Sequence, residues 1–148
     1  MIIPGACPVE LHVEHVIHAA PAEVARIMFD PELEAQWVGK AGNAEKLTDG
    51  PISVGSRVRH PAGLLGMRAP FVTEVTELEP DRRLVMEIVE GSESGVVVYQ
   101  VAPTAGGSVV TVHVRNKPKL PIPQAPWARR HHVEENLHRL ATLVARLH

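Results

Sequence analysis

The chain has 148 residues and a formal net charge of 15 − 17 = −2, a length that fits one domain with room for a buried core. Hydrophobic residues at 45% and charged residues at 22% exclude a disordered or fibrous chain. The lone cysteine, Cys7, excludes an internal disulfide framework and a multi-thiolate zinc site, while the slightly acidic balance argues against nucleic acid, which is held mainly by clustered Lys and Arg.

Residues 1–8 read as an unstructured lead-in before a single domain over 9–148. Because MIIPGACP has no basic start before an apolar run, and no stretch approaches the roughly 20 apolar residues that cross a bilayer, the expected location is the cytoplasm, without stable membrane insertion. Val9, Leu11, Val13 and Ile17 alternate and predict the first strand, Val9 to His18. Pro21 suits the first turn of a helix, Val24, Ile27 and Met28 follow at helical spacing, and Asp30-Pro31 ends it. A second short helix is expected from Glu32 to Trp37.

From about Gly55 onward strands and turns alternate. SRVRH is a short strand, PAGLLGMRAP a loop or hairpin connection, and FVTEVTELE a longer strand ended by Pro80-Asp81. RLVMEIVE, VVVYQVA and SVVTVHVRN continue an antiparallel meander, with turns at Gly91 to Gly95 and Thr104 to Gly107. Of 21 valines, 12 lie between Val72 and Val114, as β-branched enrichment in a sheet requires. KPKLPIPQAP, with four prolines in ten residues, is a stiff crossover that cannot occupy the middle of a sheet or helix. Beyond it, Val133, Leu137, Leu140, Leu143, Val144 and Leu147 form one apolar stripe, opposite His131, Glu134, Glu135 and His138, on an amphipathic helix of roughly 20 residues. The class is α+β: a curved antiparallel sheet wrapped around a long C-terminal helix, with two short helices after the first strand.

The chain from Val9 to Leu147 resembles the START-like helix-grip superfamily (SRPBCC), and within it the polyketide cyclase/dehydratase and lipid-transport group. The matching pieces are Ala20 to Val24, Asp30 to Trp37, Val54 to Arg57, Glu77 to Leu84 and Pro103 to Thr111. They are turns, caps and strand edges, none of them a catalytic signature. The resemblance implies a cavity between sheet and C-terminal helix for an apolar molecule such as a lipid, polyketide or isoprenoid, which some relatives convert and others only carry. No catalytic residue transfers from it. KPKLPIPQAPW stands beside the expected pocket mouth as a candidate gate.

Three histidines, His12, His15 and His18, invite a metal reading, but on a strand His15 faces away from the other two, which lie roughly 20 Å apart at about 3.3 Å per residue. No metal or cofactor is expected. HHVEENLH lacks the H-E-x-x-H spacing of zinc proteases, so its charges read as a solvated helix face. Arg129 and Asn136 intrude on the apolar stripe and need either a protein partner or a ligand. Tyr99 shares a strand face with Val97 and Val101, where a phenol can donate to a ligand carbonyl or to backbone. Trp37 and Trp127 are expected near the pocket rim or in plain packing. These five, Trp37, Tyr99, Trp127, Arg129 and Asn136, are the candidate ligand contacts. Glu74 is the best candidate base, provided that it points inward to an apolar site. The leading expectation is binding of one hydrophobic small molecule by a monomer or homodimer. A cyclase/dehydratase-type enzyme and a protein-interaction module are the alternatives.

Overall fold

The computed structural model describes residues 8–38, 42–119 and 126–147. Seven antiparallel strands form one sheet: β1 (Val9–Ile17), β2 (Glu45–Lys46), β3 (Arg57–His60), β4 (Phe71–Glu79), β5 (Arg83–Glu90), β6 (Glu93–Thr104) and β7 (Gly107–Pro118), in the spatial order β1-β7-β6-β5-β4-β3-β2. Helices α1 (Pro21–Met28) and α2 (Ala35–Val38) follow β1, and α3 (Pro126–Leu147) closes the chain. This is the α+β helix-grip architecture expected from the sequence.

Local chemistry accounts for the elements. Pro21 opens α1, and Val24, Ala25, Ile27 and Met28 form its buried face. Asp30-Pro31 then breaks the helix, and the Asp30 carboxylate accepts a bond from the Glu32 amide at 2.9 Å, starting a 310 turn at Pro31–Leu33. The expected second helix is therefore divided: a 310 turn, then the single turn of α2. Along β6 and β7, Val97, Tyr99, Val101, Val110, Val112 and Val114 are buried, the period-two pattern of a sheet with one covered face. On α3 the stripe Val133, Leu137, Leu140, Leu143 and Val144 is buried, each fully buried side chain contributing roughly 1.5–3 kcal/mol. Leu147, at the helix end, leaves the stripe and is half exposed.

The start of β6 and the end of β7 differ from expectation. The Gly91 to Gly95 turn shrinks to two residues, because β6 already starts at Glu93, whose carboxylate is buried. Gly95 belongs to the strand, where its backbone passes so close to Arg115 and Asn116 that a Cβ would collide with them. Lys117 and Pro118, read as crossover, end β7 opposite Ser94 and Glu93, a strand terminus being a place where proline is tolerated. Residues 120–125, most of the candidate gate, lie outside the described residues, as does most of the 1–8 lead-in. The two-residue strand β2 carries no periodicity and escapes a sequence reading. None of the described helices is long and apolar enough to cross a membrane.

Candidate functional site

Two groups of buried polar residues lie under the sheet. The first is built around α3. Arg129 Nη1 donates to Glu93 Oε2 at 2.8 Å, Arg129 Nε to the Leu65 carbonyl at 3.1 Å, and Asn116 Nδ2 to Glu93 Oε1 at 3.1 Å. Two turns further along the same face, Asn136 Oδ1 accepts the Leu65 amide at 3.3 Å, and Asn136 Nδ2 donates to the Val38 carbonyl at 3.5 Å. Leu65 sits in the left-handed region (φ 58°, ψ 23°) within a 310 turn at Leu64–Gly66. That conformation is costly for a residue with a branched side chain, so α3 holds both faces of one strained residue. Gly66, itself at φ 74°, lies so near Arg129 that a Cβ would press on its side chain. Arg129 and Asn136 are thus brought together, with protein partners of their own.

The second group is centred on His60. Its Nδ1 donates to the Glu34 carboxylate at 2.8 and 2.9 Å, and its Nε2 lies 2.8 Å from Thr73 Oγ1. Glu34, His60 and Thr73 are all buried, and the imidazole stacks on Phe71 with centroids 4.9 Å apart. The strand phase explains the placement: in RVRH, Arg57 and Arg59 are exposed whereas Val58 and His60 point inward. With the carboxylate on one ring nitrogen and a hydroxyl on the other, the imidazole is fixed in orientation and can pass a proton between them.

Beside this line stand two further buried donors. Tyr99 Oη and Trp37 Nε1 are buried and have no hydrogen-bond partner among the described residues. Their rings meet edge to face at 6.4 Å, and Phe29 stacks on Tyr99, also at 6.4 Å. Burial, together with the charge of Glu34, pushes the Tyr99 hydroxyl well above the ordinary phenol value, so it stays a donor at any physiological pH. An idle buried donor costs about 1–3 kcal/mol.

Phe29 also lines a recess of about 650 Å³. Its floor and walls come from Ala22 and Ala25 of α1, Pro31 of the 310 turn, and Ile52 and Leu78, while Arg26, Lys46 and Asp81 supply charge. The recess opens between α1 and the β4–β5 end of the sheet. Between sheet and α3, where the cavity was expected, the described side chains pack as core, with a smaller hollow of about 250 Å³ where β1 meets α3 near Val16, Ile17 and Val144.

The remaining candidates lie apart. Glu74 is on the outer face, paired with Arg57 at 2.9 Å, so the inward orientation its role as base required is not met. Trp127, 76% exposed, stands in the first turn of α3, away from the residues lining the recess. His12 bonds Glu14 on the exposed face of β1, while His15 approaches His138 of α3 at 6.2 Å. Among the described residues, no three of His, Cys, Asp and Glu gather as a metal would require.

A family model described as polyketide cyclase/dehydrase and lipid transport matches residues 8–145. The chain belongs to this family. Solved structures carry the same fold: TTHA0849 from Thermus thermophilus, at 20% identity and TM-score 0.76, covers 93% of this chain and 98% of its own. Ginseng major latex-like protein 151 from Panax ginseng, at 13% identity and TM-score 0.74, covers 92% and 97%. DynU16, from the dynemicin biosynthetic locus, aligns at 20% identity and TM-score 0.69 over 93% of this chain but 47% of its own. No curated protein matches the chain in sequence.

Proposed function

We propose that this protein of the polyketide cyclase/dehydrase and lipid-transport family binds an apolar small molecule, of lipid, polyketide or isoprenoid type, in the recess beside α1. The observation that carries this reading is a hollow of about 650 Å³ walled by Ala22, Ala25, Phe29, Ile52 and Leu78, within the roughly 300–1,000 Å³ of small-molecule sites. Covering about 300 Å² of apolar ligand at about 25 cal/mol per Å² yields several kcal/mol before ordering costs, which suffices for micromolar binding. The test is native mass spectrometry and solvent extraction of freshly purified protein, alongside titration of an environment-sensitive apolar dye. Ala22→Trp fills the recess from an exposed helix position, so it is expected to abolish dye binding at unchanged melting temperature. Equal binding by both proteins overturns the reading.

The Glu34–His60–Thr73 line favours a second reading, in which the protein converts its ligand as a cyclase or dehydratase. On that reading a bound ligand changes mass or absorbance on incubation, and the change is lost in His60→Gln but kept in Glu74→Gln.

A further inference from the structure

Tyr99 and Trp37 share the direction of their deficit: both are buried donors, an O–H and an N–H, and neither meets an acceptor among the described residues. At 2% and 1% exposure neither reaches solvent, and what they lack is an acceptor. Among the described residues, Phe29 is the aromatic ring that both stacks on Tyr99 and lines the recess. Resting on the recess as binding site, we propose that Tyr99 Oη, with Trp37 Nε1 beside it, is the recognition point for a neutral carbonyl oxygen on the apolar ligand, reached when the Phe29 ring turns aside.

The preference for a neutral acceptor follows from the neighbour. Glu34 lies close enough for its charge to act on the Tyr99 hydroxyl, and in an apolar setting a second carboxylate there is repelled. A ketone, aldehyde or ester oxygen accepts the same bond without that repulsion. The hydrocarbon remainder of the ligand lies against Ala25, Ile52 and Leu78, the apolar part of a lining that also carries Arg26, Lys46 and Asp81. Specificity therefore divides: the recess selects for oiliness, and the idle donors select for the oxygen, since a pocket that buries donors rejects ligands that leave them bare.

The test uses the full chain and three probes that differ at one end: 2-nonanone labelled with 13C at its carbonyl, nonane and nonanoate, each competing against the apolar dye at neutral pH. Wild type is expected to bind the ketone about tenfold more tightly than nonane, a difference of about 1.4 kcal/mol, and more tightly than nonanoate. The bound carbonyl resonance moves downfield. Tyr99→Phe loses both the preference and the shift while retaining its affinity for nonane. Equal binding of ketone and nonane by wild type, or a carbonyl shift that survives Tyr99→Phe, overturns the subsite and leaves the recess reading standing. Failure of all three probes to displace the dye overturns both. The wild-type comparison decides the matter even where the variant does not fold.

Discussion

The two buried polar groups under the sheet differ in how far they are completed by the protein itself. Around α3, Arg129 and Asn136 find Glu93, Leu65 and Val38, while the Asn116 amide oxygen has no partner among the described residues. Around α2, Glu34, His60 and Thr73 complete one another, yet Tyr99 and Trp37 alongside them do not. A buried group that is satisfied internally stabilises the fold and has nothing left to offer a ligand, whereas one left bare lowers stability and gains it back on binding. The α3 group is architecture, holding the Leu64–Gly66 turn in its strained conformation. The α2 group is where recognition is expected.

That contrast is broken most forcefully at the ion pair. Both partners are 4% exposed, so Glu93→Ala removes from the interior the carboxylate that faces the Arg129 guanidinium. A loss of about 3–5 kcal/mol is expected from urea unfolding, much of it recovered in the double variant Glu93→Leu/Arg129→Met. A loss below about 1 kcal/mol would remove the α3 group from the architecture. A smaller effect belongs to Asn136→Leu, which strips the Leu65 amide of its acceptor and is expected to cost about 1–3 kcal/mol. Hydrogen exchange at the Leu65 amide should accelerate while exchange in β6 and β7 changes only with global stability. Uniform acceleration throughout the sheet would mean that Asn136 supports the whole core rather than one turn.

The same contrast explains what the sequence could tell. The strands of the meander and the stripe of α3 were legible because the relevant neighbours are two, three or four residues apart, and periodicity records such spacing directly. Glu34 and His60 are 26 residues apart, and Arg129 and Glu93 are 36 apart, beyond any period. His60 was nevertheless within reach, since RVRH places it on the same phase as the buried Val58. Glu93 was hidden by its position between two glycines, which looked like a turn. Tyr99 and Trp37 were legible as candidates because a lone phenol or indole among aliphatic side chains stands out, but that their donors are idle depends on the fold around them. Glu74 was ambiguous because β4 carries apolar residues on both phases: Val72 and Val75 are both buried, with register shifts between Val72 and Thr73 and between Val75 and Glu77.

At the α2 group the expected effect on stability is smaller and opposite in sign. Tyr99→Phe removes a buried hydroxyl that has no partner among the described residues, so the unliganded protein should keep its stability or gain up to about 1 kcal/mol. Calorimetry checks this. A drop of several degrees in melting temperature would show that the hydroxyl has a partner inside the protein, and the distinction between the two groups would disappear.

The mildest perturbation sits outside both groups, where β1 meets α3. Partial burial, reinforced by His138 nearby, holds the His15 imidazole below its ordinary value. A histidine whose folded-state pKa is depressed binds its proton more readily when unfolded, so its contribution is intact above the ordinary value of about 6.5 and is lost as pH falls through it. Stability measured from pH 7.5 down to 5 should therefore decline more steeply in wild type than in His15→Asn. Because His15 is only partly buried, the difference between the two slopes should be slight, and it should vanish when His138 is also replaced only if the charge of His138, rather than burial, sets the depression.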